Sequence, residues 1–251
     1  MVSIIQAIIL SIIQGITEFL PISSSGHLAL TQQLFGFQNL PFDVFLHFAS
    51  IIAVIAVFWK PIVNVLNLKK KDNLRYLFYL LIALIPAAII GLLFRETIEK
   101  TFSNMMFLGF FFIFSGIIIY STKFAREKRK KISFFDSLFI GIFQAIAIFP
   151  GISRSGMTIS SALFRNMEKK RAVIFSFLLA IPVVLGASLV EAKSIIFSEI
   201  DALTLIISFI VTLFASIIAI KFLLRIVRKR KFYLFGVYDI LLGILVLVLA
   251  L

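Results

Sequence analysis

Two short stretches hold the side chains that could do chemistry. The first runs Gln14-Gly-Ile-Thr-Glu18-Phe-Leu-Pro-Ile-Ser-Ser-Ser-Gly-His27, the second Pro150-Gly-Ile-Ser-Arg-Ser-Gly-Met-Thr158. Both are embedded in apolar sequence, where an ionisable group at the centre of a bilayer costs on the order of 3 kcal/mol or more. Glu18, His27 and Arg154 therefore each need a reason to be there. Gln14 and Glu18 are i and i+4 and share one helix face. Arg154 cannot lose its proton and can grip two phosphate oxygens at once. Gly151 and Gly156 let backbone N–H groups approach an anion, and a helix starting after the second stretch points its positive end at it. A hydroxyl beside a histidine, with a carboxylate in reach, is an arrangement that activates an oxygen nucleophile. Together these residues suit an anionic phosphorus centre, where positioning and electrostatic stabilisation do most of the work.

Plainer readings exist for each. Glu18 could be an interfacial acid at a helix end, His27 a satisfied loop histidine, and Ser24 a backbone-capping hydroxyl. Ser23, Ser25 and Ser155 read as structural or hydrogen-bonding groups. Asp43 and His47, i and i+4 at the start of an apolar span, read as support for a site or an interface. Asp239 reads as structural, and Pro86 and Pro182 as kinks within spans.

The elements that must position these groups are membrane helices. The chain has 251 residues, 61% of them hydrophobic and 15% charged, with mean hydropathy +1.10. That is more apolar surface than one soluble core of this length could hide. There is no cysteine, which excludes disulfides, thiolate nucleophiles and Cys-based metal sites. The net charge of +13 lies between apolar spans, where topology explains it, so no nucleic-acid partner is expected. No Lys or Arg precedes Lys60, and the N-terminal apolar stretch is expected to be a membrane hairpin, not a cleaved leader.

Six segments are long enough to span: 42–59, 76–94, 105–122, 172–190, 204–224 and 233–251. Residues 4–20 and 134–149 are shorter, and each ends in a Pro/Gly/Ser cluster. They predict re-entrant helix–loop–helix hairpins over about 4–37 and 134–164. With both re-entrant, one side of the membrane receives loops 60–75, 123–133, 165–171 and 221–231. These carry 5, 6, 4 and 6 Lys and Arg, or 21 of the chain's 25. The other side receives Arg95, Lys100 and Lys193. Letting 134–149 cross fully would even the count to about 12 against 12, so the positive-inside rule prefers the first arrangement and makes the basic side cytoplasmic. Trp59, Tyr76, Tyr120 and Tyr233 then form an interfacial belt, and Lys128-Arg-Lys-Lys131 is a topology signal that also favours anionic head groups.

The hairpins repeat. Residues 12–26 match 142–156 at 8 of 15 ungapped positions, including Gln14/Gln144, Ser23/Ser153, Ser25/Ser155 and Gly26/Gly156. The predicted fold class is an all-α integral membrane protein built from two units, 1–122 and 123–251. Each unit is one re-entrant hairpin plus three transmembrane helices. Three is odd, so the second unit is inverted and the two tips meet near the midplane.

The two stretches resemble the paired signatures of the bacterial undecaprenyl-diphosphate phosphatases of the bacitracin-resistance type, and the resemblance in length and span pattern covers the whole chain. It implies removal of the terminal phosphate from undecaprenyl diphosphate, which recycles the lipid carrier for cell-wall synthesis. It implies a multi-pass protein of the bacterial cell membrane with its site open to the outer face. Ser24 is expected to be the nucleophile, helped by Glu18 and His27. Arg154 is expected to clamp the diphosphate, with Ser153 and Thr158 as hydroxyl partners and Ser23, Gly156 and Gln14 beside the substrate. A Mg²⁺ or Ca²⁺ ion is implied. Gln14 stands where many members have Glu, which leaves Glu18, with Gln14 and substrate oxygens, as its ligands. The expected partners are a polyprenyl diphosphate and membrane lipids, and a homodimer is compatible with the sequence. The rival reading is a transporter or flippase for an anionic lipid or solute, which inverted repeats with a shared midplane site also suit.

Overall fold

The computed structural model describes residues 2–102, 104–191 and 200–251. Among them the secondary structure is helical, apart from an isolated bridge between Arg129 and Met167. The expected Lys193 lies outside the described residues. The first hairpin is α1 (Ile4–Thr17) and α2 (Ser24–Phe35), followed by α3 (Leu40–Val57), the short α4 (Trp59–Leu66), α5 (Lys71–Leu93), the short α6 (Arg95–Phe102) and α7 (Met105–Ser121). The second is α8 (Phe134–Ile146) and α9 (Arg154–Phe164), followed by α10 (Lys169–Glu191), α11 (Ala202–Arg228) and α12 (Leu234–Ala250). Helices α3, α5, α11 and the stretch Met105–Phe124 are long and apolar enough to cross a membrane. Helices α4 and α6 fall where loops were expected. At eight residues each, they are too short for periodicity to stand out from their surroundings.

Apolar side chains face outward as well as inward, and on part of α11 the polarity is the reverse of a soluble helix. On α11, Thr204, Ser208, Thr212 and Ser216 follow each other every fourth residue and are buried, while Ile206, Ile210, Phe214 and Ile218 are exposed. An apolar outer stripe over a polar inner one fits a helix whose solvent is lipid. This is the architecture of an integral, multi-pass membrane protein.

Small residues let the helices close on one another. A methyl group added at Gly236 of α12 would lie 2.4 Å from the Tyr120 backbone nitrogen of α7. Helix α1 lies on α11, where Thr212 Oγ1 donates to the Ser11 carbonyl at 3.3 Å. Helix α8 lies on α5 in the corresponding way, with Gln144 Nε2 donating to the Ala83 carbonyl at 3.2 Å.

The basic segments meet. Lys128 and Arg129 N–H groups donate to the Asn166 carbonyl at 3.0 and 2.9 Å. Arg129 and Arg165 both hold the fully buried Asp136, at 2.9 and 2.7 Å. Lys123 lies over the rings of Tyr120 and Tyr233 at 5.7 and 5.5 Å.

Candidate active site at the two helix breaks

Both hairpins break for local reasons. Pro21 has no N–H to continue a helix, and Ser23 takes φ 64°, ψ 96°, a conformation that costs on the order of 1–3 kcal/mol for a residue with a Cβ. In the second hairpin Pro150 is followed by Gly151 at φ 92°, which only glycine adopts cheaply. Each chain then resumes under a serine cap. Ser23 Oγ accepts from the Gly26 N–H at 3.3 Å, and Ser153 Oγ accepts from the Gly156 N–H at 3.0 Å. Ser24 and Arg154 are therefore the first residues of α2 and α9, at the positive ends of those helices.

The two tips grip each other. The Gly151 N–H donates to Ser23 Oγ at 3.1 Å, and Ser155 Oγ donates to the Leu20 carbonyl at 3.2 Å. The Ser153 N–H donates to Ser115 Oγ of α7 at 3.1 Å, and Ser115 Oγ donates to Asp239 of α12 at 3.2 Å.

This contact brings the two stretches into one cluster around Glu18, which caps the end of α1 and is buried. Arg154 Nη2 donates to Glu18 Oε1 at 2.5 Å. On the other oxygen, Ser24 Oγ donates at 2.6 Å and Gln14 Nε2 at 3.1 Å. His47 of α3 places Nε2 3.3 Å from Glu18 Oε2. Two buried atoms in this cluster have no hydrogen-bond partner, Arg154 Nη1 and Gln14 Oε1. Buried polar groups are nearly always paired, so both atoms have hydrogen-bonding capacity left for a ligand: the guanidinium for an acceptor, the amide oxygen for a donor or cation.

The other expected residues stand behind the cluster. His27 Nδ1–H donates to the Ser23 carbonyl at 2.8 Å. With that nitrogen protonated, Nε2 of the neutral ring accepts from Tyr238 O–H at 2.8 Å. The ring stacks on Tyr238 and meets Phe112 edge-on. Thr158 Oγ1 donates to the Arg154 carbonyl at 2.9 Å and pairs with Ser176 of α10 at 2.6 Å. Ser153 and Ser23 use their hydroxyls on backbone N–H groups, and Gly156 lies against Ile119.

Sequence spacing had marked His47 as support, with no sign that it faces Glu18. Ser50, whose Oγ accepts from Gln14 Nε2 at 3.4 Å, and Tyr238 had no signal at all. Asp43 does not turn its carboxylate toward Glu18. Gln32 donates to it, and its backbone carbonyl accepts from His47 Nδ1–H at 2.7 Å.

Among the described residues no three His, Cys, Asp or Glu side chains gather as a metal site. One carboxylate beside an unpartnered amide oxygen nevertheless suits a hard cation that takes its remaining oxygens from water or a phosphate.

The profile of a family described as bacitracin resistance protein BacA matches residues 7–245. A curated relative called undecaprenyl-diphosphatase, from Halothermothrix orenii, is 41% identical across 98% of each chain. Another of that name, from Carboxydothermus hydrogenoformans, is 38% identical over 97% of this chain and 96% of its own. A third, from Methanosphaera stadtmanae, is 34% identical over all of this chain and 99% of its own.

Proposed function

The chain belongs to the bacitracin resistance protein BacA family, and from that premise we infer that it is an undecaprenyl-diphosphatase. It hydrolyses undecaprenyl diphosphate to undecaprenyl phosphate and inorganic phosphate within the membrane, which recycles the lipid carrier. One observation carries the reading at the level of residues. Arg154 has one amino group on Glu18 and the other buried without a partner, beside a serine that already donates to the same carboxylate.

The terminal phosphate takes its place between Arg154 and the start of α2. Its oxygens fill the vacant side of the guanidinium and compete with Glu18 for Nη2. Ser24 Oγ attacks the terminal phosphorus and passes its proton to Glu18 Oε2. The anhydride P–O bond breaks, and the electron pair leaves on undecaprenyl phosphate. Glu18 gives that proton to the departing undecaprenyl phosphate and is a base again when water attacks the phosphoserine. It takes the water's proton and returns it to Ser24 Oγ as the Oγ–P bond breaks and phosphate is released. Arg154 and the α2 and α9 termini offset the charge that builds on the equatorial oxygens. His27 positions Ser23, and so the start of α2, through its hydrogen bond to the Ser23 carbonyl. Glu18 and the unpartnered Gln14 Oε1 would hold Mg²⁺ or Ca²⁺, which would supply positive charge to offset that of the diphosphate.

The two units form an inverted repeat in the cell membrane, with the basic loops cytoplasmic and the site open to the outer face. Support comes from the matched helix order and from the capping boxes at Ser3 and Ser133, 130 residues apart. It comes also from the reciprocal pairing of α1 with α11 and α8 with α5.

The test is phosphate release from a C15 or C55 prenyl diphosphate by detergent-purified protein, with and without EDTA. Arg154→Ala and Glu18→Ala should each lower kcat by about 10²-fold or more. Absence of release by folded, Mg²⁺-supplied wild type would overturn the reading.

A further inference from the structure

We propose that His47 is a ligand of the divalent cation at this site, so that the ion is held by one carboxylate, one amide oxygen and one imidazole. The proposal rests on the phosphatase reading, and it adds a residue and a metal preference to it.

The geometry begins at Asp43. Its backbone carbonyl can only accept, so the 2.7 Å contact fixes the proton of His47 on Nδ1. Nε2 is thereby the ring nitrogen left to face Glu18 Oε2, across 3.3 Å, where either a proton or a cation can join the two atoms. With the ring neutral, its Nε2 lone pair and the carboxylate oxygen would be two acceptors facing each other there, and a bound cation would join them. A nitrogen and an oxygen bound to one ion at about 2.1 Å each lie roughly 3.0–3.4 Å apart, which is the separation found. Ligating histidines ordinarily donate their other N–H to a carbonyl or carboxylate, as His47 does.

A third donor becomes available when the Gln14 amide turns over, because its nitrogen now faces Glu18. Gln14 reaches the same carboxylate oxygen with its amide nitrogen at 3.1 Å, and its amide oxygen is fully buried with no partner. His47 is more open than Glu18, with side-chain exposures of 25% and 5%. That leaves a side of the site free for diphosphate oxygens or water to complete the shell. His27 offers no such lone pair, because Tyr238 O–H occupies its Nε2. An imidazole in the donor set favours a transition ion such as Mn²⁺ over Ca²⁺, which prefers all-oxygen shells.

The experiment uses the full-length chain in detergent with Mn²⁺ as the probe and no substrate. Pulsed electron paramagnetic resonance of bound Mn²⁺ should give the ¹⁴N modulation of one directly bound imidazole. His47→Gln should abolish that modulation and weaken Mn²⁺ binding by about tenfold or more, whereas His27→Gln should leave the modulation in place. The His27 variant also controls for loss of fold. If wild type binds no Mn²⁺, shows no nitrogen coupling, or keeps the coupling in His47→Gln, the proposal fails, and a shared proton explains the 3.3 Å contact. Phosphate release by the same wild-type preparation separates the two claims. Release without nitrogen coupling removes the ligand and leaves the phosphatase.

Discussion

At Glu18, Arg154, Ser24, Gln14 and His47 converge on two carboxylate oxygens. In the proposed mechanism this carboxylate is the base for Ser24, whose hydroxyl already donates to it. Glu18→Gln should preserve the buried shape and lose the base, lowering kcat by about 10²–10⁴-fold in steady-state phosphate release. Ser24 and Ser25 provide a sharper comparison. Ser24→Ala should abolish turnover, whereas Ser25→Ala, which removes a weak 3.4 Å contact with Ser23, should leave kcat within a few-fold of wild type. Tyr238→Phe removes the donor to His27, a net loss of about 1 kcal/mol, and should cost roughly fivefold in kcat/KM. Residue types were legible here, because Glu, Ser and Arg in apolar sequence demand an explanation. Which histidine faces Glu18 was not legible. His27 is the nearer in sequence, yet the turn at Ser23 points it at α12, and His47 arrives from α3 by tertiary packing.

The breaks between α1 and α2 and between α8 and α9 decide where those side chains stand. They were readable because Pro21, Pro150, Gly151 and the capping serines act over a few residues, the range at which sequence determines backbone directly. The strain was less readable. Both hairpins have a left-handed residue at the break, but it is Ser23 in one and Gly151 in the other, so the repeat does not align them. Gly151→Ala tests the device. An added methyl would sit 2.9 Å from the Leu108 carbonyl oxygen at a φ that disfavours it, which should cost on the order of 1–3 kcal/mol or more. Thermal unfolding in detergent should show a lowered Tm and, because the tip carries Arg154, reduced turnover of the folded fraction. An unchanged Tm would show that the tip can re-form without glycine. The short helices α4 and α6 escaped the sequence reading because eight residues fix no register of their own.

Across the whole chain, the long apolar helices followed from hydropathy, since an apolar exterior is a global constraint. The pairing of helices did not follow, because Gly236 against Tyr120 or Ser11 against Thr212 is a matter of shape. Orientation can be measured directly, as the chain has no cysteine and tolerates single-cysteine labelling without a background. Lys130→Cys should react with an impermeant maleimide only after cells are opened, and Thr97→Cys should react on intact cells. The reverse pattern would invert the topology and place the site on the cytoplasmic side. The central claim is that the junction of the two tips hydrolyses a lipid diphosphate and is not merely a way through the membrane for one. Proteoliposomes carrying undecaprenyl diphosphate test it most directly, with phosphate release and lipid translocation followed in the same vesicles for wild type and Arg154→Lys. The account predicts release by wild type and a loss of about 10²-fold or more in the lysine variant, which keeps the charge and loses the two-pronged grip. Translocation of intact diphosphate lipid with no phosphate released would contradict it.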